Sequence, residues 1–280
     1  MLSILYGLGA ALSWGAGDFT GGLASRKAGA YRAVFYGEAI GVAVLILVVM
    51  IAGEPLPGLR VWLLSALAGA LGSVGLLLLY HSMTLGLMSI AAPVSALLTA
   101  ALPIVVGSFT EGLPKSLTFV GFGFALFAVW MVSQGGSGVT NILAHLSDLR
   151  LPLLAGIGFG SYFVVMHEAT RGGGIIWPMV ASRAGGMLLV ISYLLITRAS
   201  WKIDPTAWPM ILLNGTLDIC GNAFFILAGQ AGRLDVAAVL SSLFPGATVL
   251  LASVFLRERL ARNQWIGILA ALTAIVLMTL

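Results

Sequence analysis

The chain has 280 residues, 60% of them hydrophobic and 9% charged, with a mean hydropathy of +1.07. Soluble domains carry about 25% charged residues, so this composition cannot cover a water-facing surface and reads as an integral membrane protein. The net charge of +4 is scattered without a basic patch, which argues against nucleic acid and for loops that meet anionic headgroups, and the single cysteine, Cys220, excludes an intrachain disulfide or a thiolate metal cluster.

A bilayer core of about 30 Å takes roughly 20 apolar helical residues per crossing. Long unbroken apolar runs favour helices over the alternating segments of a β-barrel. Ten such segments are predicted, at 3–22, 31–52, 60–81, 86–109, 117–134, 151–170, 175–197, 207–229, 233–256 and 262–280. Six of the seven tryptophans (62, 130, 177, 201, 208 and 265) lie near segment ends, as an interfacial belt requires.

The first segment, opening MLSILYG, lacks the positive start of a signal peptide and is expected to be retained as a helix. It holds Trp14 well inside the span, with Asp18 four residues on and on the same face. The second segment carries Glu38. The third has the glycine stripe GALGSVG (69–75), a signal for close helix packing, and ends on Tyr80 and His81. His81 could relay protons near neutral pH, or be a hydrogen-bonded structural side chain. The fourth contains Pro93 and Pro103; each removes a backbone hydrogen bond and is a hinge candidate or a packing kink. The polar stretch SQGGSGVTNILAHLSDLR (133–150) then divides the chain nearly in half.

In the second half, the sixth segment carries Tyr162, the seventh Arg183 and the ninth Pro245, a third hinge candidate. The eighth contains GTLDICGNAFF (215–225), where Asp218 lies mid-span with Asn214 and Asn222 four residues to either side on one face. Trp14, Tyr80, Tyr162 and Phe224 could form an aromatic lining or pack a core. An ionisable group at a span's centre costs roughly 2.5–3.5 kcal/mol on insertion scales, so Asp18, Glu38, His81, Arg183 and Asp218 are expected to face a bundle interior or an aqueous cavity.

A shift of 146 residues sets Gly69, Leu71, Gly75 and Gly86 on Gly215, Leu217, Gly221 and Gly232, and continues ungapped to Ala91, Ala92 and Ser95 on Ala237, Ala238 and Ser241. EGL at 111–113 answers ERL at 258–260, and GEAIG (37–41) answers SRAGG (182–186). That last pairing makes Glu38 and Arg183 equivalent, so the two are expected either to approach each other and gate a cavity or clamp a zwitterion, or each to lie nearer an interface and snorkel to headgroups. Duplication of an odd number of spans puts the halves into the membrane in opposite senses, the inverted-repeat plan of many secondary transporters. The expected fold is all-α integral membrane, with ten transmembrane helices in two inverted five-helix repeats, 1–134 and 151–280, joined by a linker at 135–150.

Ten spans, the duplication, SWG around Trp14, and EGL/ERL between the last two helices of each half resemble the drug/metabolite transporter superfamily, and most closely its EamA-type branch. The first repeat departs from the pattern in having EGLP where a basic version is common. The resemblance implies a carrier of small metabolites, amino-acid-like or drug-like, frequently an exporter, with a central cavity and no organic cofactor. It also implies that Trp14, Pro245, Glu258 and Arg259 sit at family positions.

No residue set suggests catalysis. GGG at 172–174 lacks the context of a phosphate loop, and HE at 167–168 lacks a second zincin histidine, so neither a nucleotide nor a metal is expected. An intramembrane enzyme acting on lipid would need a nucleophile, base and oxyanion donors near an interface, whereas the polar residues lie mid-span. A scaffold or sensor leaves the duplication without a purpose. The expectation is an alternating-access carrier of a small molecule, lodged in the cell membrane, either coupled to protons through Asp218 or His81 or working as a uniporter or exchanger. Its oligomeric state is left open. Loops after odd-numbered spans hold nine Lys and Arg against five elsewhere, which places the termini outside, while the resemblance implies cytoplasmic termini.

Overall fold

The fold, a computed structural model that describes residues 1–82, 88–133, 150–198, 200–255 and 261–279, consists of helices joined by turns, with no strand among those residues. In a bilayer each backbone polar group must be satisfied within its own segment, and the helix does this. The helices are α1 (Leu2–Ala28), α2 (Ala30–Ala52), α3 (Leu59–Ser82), α4 (Met88–Thr110), α5 (Ser116–Ser133), α6 (Arg150–Thr170), α7 (Ile176–Thr197), α8 (Trp208–Ala231), α9 (Leu234–Ser241), α10 (Phe244–Phe255) and α11 (Arg262–Thr279). Six segments are long and apolar enough to cross a membrane, one of them α9 and α10 together, and three shorter apolar helices lie at Val94–Thr110, Ser116–Val132 and Arg262–Met278. Large apolar side chains stay exposed around the bundle, among them Leu47, Ile51, Leu188, Leu195 and Leu269. That is the expected face toward lipid, where tails are as apolar as the side chains.

Two helix boundaries differ from the sequence reading. The first helix runs six residues past its predicted end, carrying Lys27 in its last turn, where a cation meets the negative end of the helix dipole. It stops at Gly29, whose φ of 85° favours glycine and lets α2 begin one residue later. The ninth segment, predicted as one span over 233–256, is two helices broken at Ser242 and Leu243. Ser242 N–H donates to the Ala238 carbonyl at 2.9 Å and Leu243 N–H to Leu240 at 3.2 Å, closing α9. Pro245 therefore lies in the first turn of α10, where its missing N–H leaves nothing unpaired, and not mid-helix as a kink. Pro103 is buried inside α4. The Pro93 and Tyr80 side chains, the linker at 135–149, and Glu258 and Arg259 lie outside the described residues.

Contacts between the halves come in exchanged pairs. α1 packs along α8 as α3 packs along α6; α2 meets α8 as α7 meets α3; α1 meets α9 and α10 as α6 meets α4; and α2–α7 and α5–α11 pair directly. Glycines carry the closest crossings. A Cβ on Gly69 would overlap the Ser182 carbonyl, and one on Gly185 the Ala66 carbonyl. A Cβ on Gly215 would lie 2.7 Å from the Gly37 carbonyl oxygen.

At one end of the bundle the termini are fastened by side chains. Glu54, just past α2, accepts backbone N–H bonds from Ile175, Ile176 and Trp177 at 2.9–3.3 Å, filling the vacant donors at the start of α7. Glu111, after α4, accepts from Leu234 N–H at 3.1 Å at the start of α9. Gln230 of α8 donates to the carbonyls of Thr170 and Gly174 at 3.1 and 3.0 Å, and Ser3 Oγ donates to the Ala228 carbonyl at 2.8 Å. The start of α1 and the end of α6 thus meet at the same end.

Candidate functional site

Between the halves lies a cavity of about 150 Å³, about five times the ~30 Å³ share of a water in the liquid. The first half supplies Trp14 and Asp18 from α1, Glu38 from α2, Gly69, Gly72 and Ser73 from α3, and Thr99 from α4; the second supplies Phe159 and Tyr162 from α6, Ser182 and Arg183 from α7, and Asp218 and Asn222 from α8. Gly69, which lets α3 approach α7, also lines the cavity. Gly72, the repeat counterpart of Asp218, leaves the Tyr162 ring 3.4 Å from where a Cβ would stand.

The polar groups form two separate sets. Arg183 donates to the Asp218 carboxylate. Asn222 Nδ2 donates to the Asp218 carbonyl at 2.6 Å and to its Oδ2 at 3.2 Å, and the Tyr162 hydroxyl donates to Asn222 Oδ1. The chain Arg183–Asp218–Asn222–Tyr162 therefore ties α7, α8 and α6 within the second half. In the other set, Glu38 accepts from the Ser73 hydroxyl at 2.8 Å through Oε1, while Oε2 is buried with no hydrogen-bond partner among the described residues. Asp18 forms no hydrogen bond or ion pair there either. Asn214 Nδ2 donates to the Gly17 carbonyl at 2.8 Å, fixing α8 to α1 beside Asp18.

Trp14 and Phe163, both in the cavity wall, belong to one aromatic stack. The indole lies on Phe163 with centroids 5.4 Å apart and planes 12° apart, and Phe163 stacks on Phe225 at 4.2 Å. The indole fits because residue 221 is glycine; a Cβ there would collide with the ring.

Of the candidate residues, Trp14, Asp18, Glu38, Tyr162, Arg183, Asp218 and Asn222 are brought to this one cavity. Glu38 and Arg183 come together at the α2–α7 crossing, where a Cβ on Gly186 would lie 2.9 Å from Glu38 Oε1 and one on Gly41 3.5 Å from Arg183 Nε, but Arg183 donates to Asp218 of α8 while Glu38 accepts from Ser73 of α3. His81 is exposed at the end of α3 and does not line the cavity. Phe224 turns away to stack on Tyr6 at 6.3 Å, and Phe159, Phe163 and Phe244 join Trp14 and Tyr162 in the aromatic lining. Ser73, Thr99 and Ser182 were not anticipated, since small hydroxyl residues in apolar spans carry no charge signal.

A second polar cluster lies at the fastened end. Glu111 faces His167, with Oε1 and Nε2 3.2 Å apart, and Arg233 donates to the Glu111 carbonyl at 3.1 Å and to Asp235 Oδ2 at 2.7 Å. That bond to Asp235, which is fully buried, raises the Arg233 pKa above the ordinary arginine value. In the sequence Glu111 and Arg233 stand at the edges of apolar segments, where charge is ordinary. Neither the Glu111–His167 contact nor the burial of Asp235 has a local signature. Among the described residues no group of three metal-ligating side chains is assembled.

The profile of the EamA-like transporter family matches residues 1–134 and again 149–280. A solved crystal structure of a protein superposes with a TM-score of 0.81 at 17% identity, over 99% of this chain and 98% of that one. At that identity the likeness speaks for the fold alone. No curated protein matches the chain in sequence.

Proposed function

The chain belongs to the EamA-like transporter family, and from that premise we propose that it is a secondary carrier which moves a small polar or amphipathic solute through the cavity between its repeats by alternating access. Family membership supports a multi-pass membrane transporter of small solutes. One observation carries the finer reading. Polar side chains from both halves converge in mid-bundle on one cavity, at a depth where each ionisable group is costly unless it serves a path or a partner.

In this reading all ten segments cross the membrane: the six long ones, the three shorter apolar helices, and α1 with its 27 residues. The halves are inverted repeats, 1–134 and 151–280. The exchanged helix contacts and the meeting of the start of α1 with the end of α6 support this. Rocking of one repeat against the other would break the contacts fastening one end and open the cavity there. No organic cofactor takes part. Proton coupling, if it drives the cycle, would run through Asp18, Glu38 or Asp218, the carboxylates in the cavity, and not through His81. Export with cytoplasmic termini is the proposed direction. A reporter fused after Leu280 that is active only in the periplasmic format would reverse the orientation.

The function is tested by comparing metabolite efflux and uptake in cells with and without the protein. The carrier reading expects at least one small solute to change its distribution across the membrane in a protein-dependent and saturable way. Identical profiles in both cells would refute it.

A further inference from the structure

Charge is unevenly distributed in the cavity. Three carboxylates, Asp18, Glu38 and Asp218, stand against one guanidinium, Arg183. That guanidinium is already committed to Asp218, and Asp218 also accepts from Asn222. The Asp218 charge therefore has its counterion inside the second repeat. Glu38 lines the cavity and is only 7% exposed, and its Oε2, which lies against Gly186 of α7, has no donor among the described residues. Asp18, from the neighbouring helix, faces the same space with no ion pair there. Buried carboxylate oxygens without donors are rare because each forfeits its hydration. A buried acid that is kept unpaired beside a cavity points to a partner that arrives from outside.

We propose that this site takes an organic cation, an amine or ammonium compound without a carboxylate of its own, and that Asp18 and Glu38 receive its charge while the Arg183–Asp218 pair stays closed as a strut. The proposal rests on the carrier reading for its purpose, but on the cavity alone for its chemistry. Each alternative class meets a specific obstacle. An anion would have to share Arg183 with Asp218 and sit among three carboxylates. A zwitterion would have to do the same at its acid end. A cation needs to break nothing. It gains charge-assisted contacts with two acids, and the Trp14 and Tyr162 rings that line the same space attract cations on their faces. The cavity volume suits one amine of about the size of a single aromatic ring with a short arm.

Three probes with a common skeleton separate these cases: 2-phenylethylammonium, L-phenylalanine and 3-phenylpropanoate. They are titrated onto the full chain in lipid nanodiscs at neutral pH, with binding read by calorimetry. The cation is expected to bind at least about tenfold more tightly than phenylalanine, the worth of one charge-assisted contact, and phenylpropanoate not to compete. Asp18→Asn and Glu38→Gln are each expected to weaken the cation about tenfold while leaving the thermal midpoint of the nanodisc-embedded protein in place. Equal or tighter binding of phenylalanine, binding of phenylpropanoate, no binding of the cation, or indifference to both substitutions overturns the inference. The wild-type ranking of the three probes decides the matter even if a variant fails to fold. Liposome counterflow with phenylalanine and the permanently charged 2-phenylethyltrimethylammonium separates this inference from the carrier reading. Exchange of phenylalanine alone sinks the cation and leaves the carrier. Acid-dependent binding of cations that never cross sinks the carrier and leaves the cation.

Discussion

Removing Arg183 is predicted to cost more than removing its partner Asp218, and the asymmetry follows from the charge count of the cavity. The Arg183 side chain is 14% exposed and that of Asp218 is 32% exposed, both toward the cavity. Breaking a buried pair by deleting one member costs about 3–5 kcal/mol, whereas exposed pairs are worth about 0–1 kcal/mol. Arg183→Met leaves Asp18, Glu38 and Asp218 with no cation among them, so the loss should fall near the buried limit, about 3 kcal/mol. Asp218→Asn leaves Arg183 with the field of Glu38, which also acts on it, and should cost about 1–2 kcal/mol. The double variant should fall short of the sum by about 1–2 kcal/mol, as directly paired residues do. Reversible unfolding of the purified protein in bicelles, for the wild type, both single variants and the double, supplies the four free energies. Equal single losses that add within about 0.3 kcal/mol would show that the pair is not coupled and that the charge accounting is wrong.

Three further outcomes follow from the packing and the caps. Gly69→Ala and Gly185→Ala drive a Cβ into the backbone of the facing helix, and each should lower the unfolding free energy by about 1–3 kcal/mol. Gly22→Ala and Gly123→Ala, with nothing within 4 Å, should not destabilise; equal losses at all four sites would refute the crossing argument. Glu54→Ala strips the acceptor from three N–H groups at the start of α7. It should cost about 1–2 kcal/mol and speed hydrogen exchange at Ile176, and unchanged exchange would count against the cap. Tyr162→Phe removes the donor to Asn222 and should cost about 1 kcal/mol in the same unfolding assay, with no loss contradicting a role for that hydroxyl.

The helices were legible because each apolar run ends where charge resumes, and the duplication was legible because glycines at helix crossings repeat at a fixed shift. The break in the ninth segment was harder to read. The pair Ser241–Ser242 followed by Pro245 resembles a kinked span as much as a stop and a new start, and only backbone hydrogen bonds decide between them. At the site, Asp18, Glu38, Arg183 and Asp218 stood out through the cost of charge in a membrane. Their partners did not, because partnership depends on which helix crosses which and at what height. Repeat equivalence suggested that Glu38 would approach Arg183, and both line one cavity, yet the hydrogen bonds go elsewhere, from Arg183 to Asp218 and from Ser73 to Glu38. The cluster of Glu111, His167, Arg233 and Asp235 was invisible for the opposite reason. Charges near predicted ends of segments are ordinary, and nothing local reveals that Asp235 is fully buried.

Counterflow across liposomes bearing the purified protein is the most direct test of the central claim that the inter-repeat cavity is a path. Vesicles are loaded with a cell metabolite extract and challenged with labelled solutes, with the wild type and Arg183→Met reconstituted in equal amounts of folded protein. The cavity account predicts saturable exchange of at least one solute by the wild type and its loss in the variant. Undiminished exchange by the variant, or none by the wild type, would contradict it.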